Sequence, residues 1–97
     1  MKKLFILLKS PGEFHDFDLM ASLAGEDEAA ALLFEDAVYF AANEAKGKEL
    51  ASVVDKVYVI GDDLRSRGFD ARNGFEVIDY PTAVDLIMDE YDKTITV

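Results

Sequence analysis

Apolar and polar positions alternate in blocks along the chain, and each block predicts an element. Leu4 to Leu8 is a continuous apolar run between Lys3 and Lys9, the pattern of a strand covered on both faces. Ser10-Pro11-Gly12 breaks it, and Phe17, Met20, Ala21 and Ala24 then recur at helical spacing within Phe14 to Ala24, with Gly25 placed to stop that helix. A second apolar run, Ala29 to Phe34, ends abruptly at Glu35-Asp36. Asp36 is placed to cap a helix with Val38, Ala41, Ala42 and Ala45 on one face and Gly47 at its close, and Leu50, Val53 and Val54 predict another short helical turn.

Val57 to Ile60 is rich in β-branched residues, so it predicts a third strand, and Gly61-Asp62-Asp63 turns it into a brief helix from Leu64 to Arg67 ended by Gly68. Phe75 to Ile78 predicts a fourth strand. Pro81 sits where a first helical turn tolerates a missing donor, and Val84, Ile87, Met88 and Tyr91 form the apolar stripe of that helix. Thr94-Ile95-Thr96-Val97 alternates polar and apolar, as an edge strand does. Strands and helical segments alternate throughout with no tight hairpin signal. The fold class expected is therefore α/β, a three-layer α/β/α sandwich with a mostly parallel sheet of about five strands.

Length and composition narrow the picture further. The 97 residues, 51% hydrophobic, suffice for one core, so residues 1–97 are expected to form one domain. A net charge of -10 repels the phosphate backbone that dominates nucleic-acid affinity, which disfavours direct RNA or DNA binding. The Lys2-Lys3 start followed by an apolar run resembles a signal peptide, but Lys9 ends the run too early. No stretch is long and apolar enough to cross a bilayer. The absence of cysteine fits a reducing compartment, and a cytoplasmic location is expected.

In an open parallel sheet, ligands bind beyond the carboxyl ends of the strands. Those ends carry Lys9-Ser10-Pro11, Glu35-Asp36, Gly61-Asp62-Asp63 and Asp79-Tyr80. Glu35, Asp36, Asp62 and Asp63 have the chemistry for a hard cation but lack the spacing of a calcium loop. Helix capping by Asp36 and Asp62 takes precedence, and no metal or cofactor is expected. A phospho-accepting receiver would place an acidic pair after the first strand, where Lys9-Ser10 stands, and Ser10-Pro11-Gly12 is too short to cradle a nucleotide. Ser10 and His15, the only histidine, lack the turn motif that exposes a nucleophile, so His15 is expected to face solvent on the first helix. Lys46, Lys48, Arg65, Arg67 and Arg72 are expected to be solvated or paired with acids, or to form a charged rim that orients a partner. Tyr39, Phe40, Phe69 and Phe75 exceed what the stripes need; core packing is their first explanation and interface anchoring the second.

The order Lys9-Ser10-Pro11, then Leu32-Leu33-Phe34-Glu35-Asp36-Ala37-Val38-Tyr39, then Val57 to Gly68, then Val77-Ile78-Asp79-Tyr80 resembles the DsrH/TusB family. The string from Asp62 to Gly68, shortly before Val77 to Tyr80, is its most specific part. The resemblance implies a DsrE/F/H-like fold and a role in sulfur relay, where homologous subunits assemble and one passes a cysteine-bound persulfide onward. The destination is 2-thiouridine at the tRNA wobble position in TusBCD-like complexes and sulfur oxidation in DsrEFH-like ones. Some family members carry a cysteine on the first helix, whereas Phe14 to Ala24 has none. The resemblance thus implies a non-catalytic subunit, similar to TusB, that meets cysteine-bearing TusC/TusD-like or DsrE/DsrF-like partners. The candidate partner or crevice surface is Lys9, Ser10, Pro11, Glu35, Asp36, Tyr39, Gly61, Asp62, Asp63 and Arg67. The rival expectation is a stand-alone homo-oligomeric module binding a small ligand near Lys9, Ser10, Gly61 and Asp62.

Overall fold

The computed structural model describes residues 1–71 and 73–97, so Arg72, grouped above with Arg65 and Arg67, lies outside the described residues. Among the described residues, five strands, β1 (Lys2–Leu7), β2 (Glu28–Leu33), β3 (Lys56–Ile60), β4 (Glu76–Ile78) and β5 (Lys93–Thr96), pair in the order β4-β3-β2-β1-β5. All the pairings are parallel. The helices are α1 (Phe17–Ala24), α2 (Tyr39–Ala42) after a 3-10 turn at Glu35–Val38, α3 (Glu44–Ala51), α4 (Gly61–Ser66), and α5 (Tyr80–Asp85), which runs into a π-helical turn at Leu86–Glu90.

Strand order dictates the layers. From β1 to β4 the chain steps one strand at a time in a single direction, and right-handed crossovers put the connecting helices on one face of the sheet. The step from β4 to β5 goes back across the sheet, so α5 lands on the other face. The core divides accordingly: Phe5, Leu7, Ala31, Leu33, Val57 and Val59 meet Met20, Phe40, Leu50 and Leu64 on one side. Leu4, Leu32, Tyr58, Ile60 and Ile78 meet Ala83, Leu86 and Tyr91 on the other. The result is the expected three-layer sandwich.

Several local expectations are corrected. The first strand stops at Leu7 and Leu8 is exposed, because the chain already turns outward toward Ser10. Helix α1 begins at Phe17, not Phe14; Glu13 and Phe14 donate their amides to Ser10 O, which holds Phe14 in a turn where it is buried without being helical. The second helical region is not continuous. Asn43 is extended, ends α2, and caps α3 by accepting from Lys46 N at 3.0 Å. That break leaves Ala45 exposed and places Gly47 inside α3 instead of at its end, while Val53 and Val54 lie beyond the helix.

Neither Asp36 nor Asp62 caps a helix. Both sit inside first turns whose N-cap residues, Phe34 and Ile60, make no side-chain cap bond, although their charge still complements the helix dipole. Asp79 is a side-chain cap, accepting from Thr82 N at 2.9 Å. The fifth correction concerns α5: Val84 and Met88 face solvent, while Ala83 and Leu86 face the sheet.

Four of the basic residues grouped above are paired at the surface. Lys46 meets Glu49, Lys48 meets Glu44, Arg65 meets Asp62 and Arg67 meets Asp36. Such exposed pairs contribute little individually. Phe40 is fully buried, Phe75 packs against the same core, and Tyr39 with Phe69 forms a half-exposed edge-to-face pair at 4.9 Å between centroids.

A candidate docking site at the carboxyl ends of the strands

Four strand exits converge at one end of the sheet, each shaped by its own local chemistry. At the exit of β1, Ser10-Pro11-Gly12 forms a tight turn closed on Ser10 O, and Ser10 Oγ bonds Glu13 Oε1 at 3.3 Å. At the exit of β2, Phe34 N donates to Leu7 O, which keeps the two exits together. Glu35 then adopts φ +50, the left-handed region that non-glycine residues avoid. Its compensation is direct: Glu35 N donates to Asp63 Oδ2 at 2.7 Å.

At the exit of β3, α4 starts without an intervening loop at Gly61, which is buried. A Cβ there would lie 2.9 Å from Val77 Cγ1 and 3.0 Å from Arg65 Nη1, so glycine lets α4 start close against β4. At the exit of β4, Tyr80 donates its hydroxyl to Asp63 Oδ1 and stacks on Phe34 at 6.2 Å between centroids. The accepting carboxylate, with help from burial, pushes the Tyr80 phenol above its ordinary value of 10.0.

Asp63 is therefore the hub, one carboxylate that ties the exits of β2 and β4 to α4. Arg67 extends the network, with Nη2 3.0 Å from Asp36 Oδ1 and Nη1 3.2 Å from Asp63 O. The Asp36 carboxylate holds the Arg67 guanidinium even more firmly in its charged form. Beyond Asp36 opens a recess of about 630 Å³, walled by Ser10, Pro11, Asp36, Tyr39, Asn43 and Phe69.

Of the surface expected from sequence, Ser10, Pro11, Asp36 and Tyr39 are thus brought together in the recess, and Glu35, Asp63 and Arg67 form the network behind it. Gly61 is buried beneath, Lys9 is exposed beside the recess's first turn, and Asp62 turns away to Arg65. Tyr80, Asn43 and the wall position of Phe69 were not singled out as site residues. Tyr80 was within reach, since it directly follows the exit of β4; the other two depend on the break at Asn43 and on the path of the chain after Gly68.

The recess offers shape, aromatic contact and hydrogen-bonding groups for recognition. His15 is exposed in the loop before α1, and Ser10 Oγ is bonded to Glu13. Among the described residues, no group of three or more His, Asp or Glu side chains is arranged to hold a metal ion. Among the described residues, no helix is long and apolar enough to cross a membrane.

Comparison with known proteins adds the lineage. No curated protein matches the chain. The family described as DsrH like protein matches residues 9–93, a span that contains all four strand exits and every residue of the recess. With nearly its whole length covered, the chain belongs to the DsrH-like family, a family of sulfur-relay subunits.

Proposed function

We propose that residues 1–97 act as one unit, the non-catalytic subunit of a cytoplasmic sulfur-relay complex, similar to TusB in thiolation of the tRNA wobble uridine or to DsrH in sulfur oxidation. The observation that carries this reading is the absence of cysteine from all 97 residues. Relay through a persulfide needs a thiol sulfur on the carrier, so in this assembly the sulfur stays on a cysteine-bearing homologous subunit. The contribution of this chain is to position that subunit, with the strand-end surface around Ser10, Asp36, Tyr39 and Arg67 as a contact. A net charge of -10 suits a subunit that leaves the phosphates of any tRNA to others.

The test is purification of the tagged chain from its native cells followed by native mass spectrometry. A stoichiometric complex with cysteine-bearing homologues is expected, with the persulfide mass on those subunits. A homo-oligomer alone would overturn the reading. The recess favours one second reading in that event, a stand-alone module holding a small ligand between Tyr39, Phe69 and Asp36. Ligand-dependent rises in melting temperature, lost in Tyr39→Ala, would identify it.

A further inference from the structure

The face of the sheet opposite α1 is unevenly covered. Among the described residues, only α5 and its π-helical turn supply helical cover there, whereas α1 to α4 share the other face. The apolar positions of α5 are more than this duty needs. Taking about 100° per residue, Leu86, Ala83 and Ile87 point at the sheet, and Tyr80, Val84 and Met88 follow round one flank, an apolar arc of roughly 200° where a surface helix needs about 100°. The flank is open: Tyr80 is 42% exposed, Val84 56% and Met88 73%.

The charge beside this ridge has one sign. Asp85 and Asp89 come next around the helix, both exposed, and from Asn73 to Asp92 the chain carries Glu76, Asp79, Asp85, Asp89, Glu90 and Asp92 with no Lys or Arg. Lys2 and Lys93 stand at the foot of the helix, where Lys2 Nζ lies over the Tyr91 ring. A second copy of this chain is a poor occupant. An isologous dimer would set Asp85 and Asp89 against themselves, between two molecules each carrying a charge of -10.

We propose that the Tyr80-Val84-Met88 ridge is a docking surface for a different protein, whose contact face is apolar at its centre and ringed by Lys or Arg. The inference rests on the relay-subunit reading, because it takes the cysteine-bearing homologous subunit as that protein. It goes beyond that reading in adding a second contact, on the outer flank of α5, and in requiring basic residues on the partner. The ridge begins at Tyr80, whose hydroxyl is bonded to Asp63 and whose ring stacks on Phe34. Its first side chain is therefore held in place before a partner arrives, which lowers the ordering cost of association.

The experiment compares three double variants with the wild-type chain. Val84→Glu/Met88→Glu spoils the ridge, Asp85→Lys/Asp89→Lys reverses its charged border, and Leu19→Glu/Leu23→Glu alters the exposed positions of α1 on the other side of the sheet. Each is checked for an unchanged melting transition. The cysteine-bearing subunit recovered with the wild-type chain and identified by mass spectrometry is purified and titrated calorimetrically at low and moderate salt. The expected result is a loss of affinity of at least about tenfold for the ridge variant. The charge-reversed variant should also bind more weakly, with its salt dependence flattened, while the α1 variant binds like wild type. Should the ridge variant fail to fold, the charge-reversed one decides. Loss confined to the α1 variant would overturn the docking surface and leave the relay reading standing. Self-association of the wild-type chain abolished by Val84→Glu/Met88→Glu would overturn the choice of occupant. Recovery of no cysteine-bearing subunit would overturn the relay reading itself.

Discussion

Gly47 sits in the middle of α3, where glycine is a poor helix former, and its neighbours explain it. A Cβ there would collide with Asn73 Nδ2 and lie 2.7 Å from Phe40 O. Asn73 can swing away only by giving up its bonds to Phe40 O and Asn43 O, and the Phe40 carbonyl belongs to α2 and cannot yield without moving that helix. Alanine gains about 1 kcal/mol of helix propensity. It loses more through overpacking and the two hydrogen bonds, so Gly47→Ala is expected to destabilise by about 2 kcal/mol, read as a lower denaturation midpoint in urea at unchanged slope. Sequence spacing alone placed this glycine as a helix stop, because an isolated glycine after apolar positions at helical intervals carries no information about which backbone passes beside it. Asn43 caps α3 through a local bond from Lys46 N, but the hold that Asn73, thirty residues on, has on its carbonyl is invisible in the sequence.

At the scale of elements, the ends of strands and helices set the response to pH. Asp79, the cap of α5, is held below the ordinary carboxylate value of 3.8 by its bonds from Thr82. Asp27, after α1, is held below it by its hydrogen bond and attraction to Lys3. For both, the folded state holds its proton less tightly than the unfolded chain. Their contribution is present above the unfolded value near 3.8 and is lost as pH falls through the lower folded value. Stability should therefore drop on acidification below about pH 4, and Asp79→Asn with Asp27→Asn should flatten that drop in a series of urea melts.

The strands were readable as runs because a buried parallel strand is apolar on both faces, as Ala29 to Leu33 shows. The helix faces were less so. In α5 two apolar stripes overlap, one through Ala83, Leu86 and Ile87 and one through Val84, Met88 and Tyr91. The π-helical turn, closed by Tyr91 N on Leu86 O, decides between them by burying both Leu86 and Tyr91. The strand exits were legible as candidate positions; the Asp63 to Tyr80 link was not, since it exists only because β3 and β4 are neighbours.

For the whole molecule, charge is the dominant surface property. Twenty acidic residues face ten basic ones, and the pairs observed are exposed and weak. Self-repulsion of a -10 globule opposes compactness, and salt screens it. Raising sodium chloride from about 20 to about 200 mM should lift the melting temperature by roughly 4 °C, about 1 kcal/mol for a domain of this size. A scanning calorimetry trace that falls or stays flat over that range would show that the acids are locally compensated.

The placement of β1 between β2 and β5 has a consequence for how the chain acquires this shape. Strands β1 to β4 close neighbouring crossovers in order and need only nearby partners as they are made. The second edge of β1 waits for β5, and the bond from Lys2 N to Asp92 Oδ2 spans 90 residues. Closing so long a loop is slow compared with forming the local crossovers. During synthesis, then, a nascent chain holds β1 with one edge open until β5 arrives, and this interval is when it is most vulnerable to pairing with the wrong neighbour.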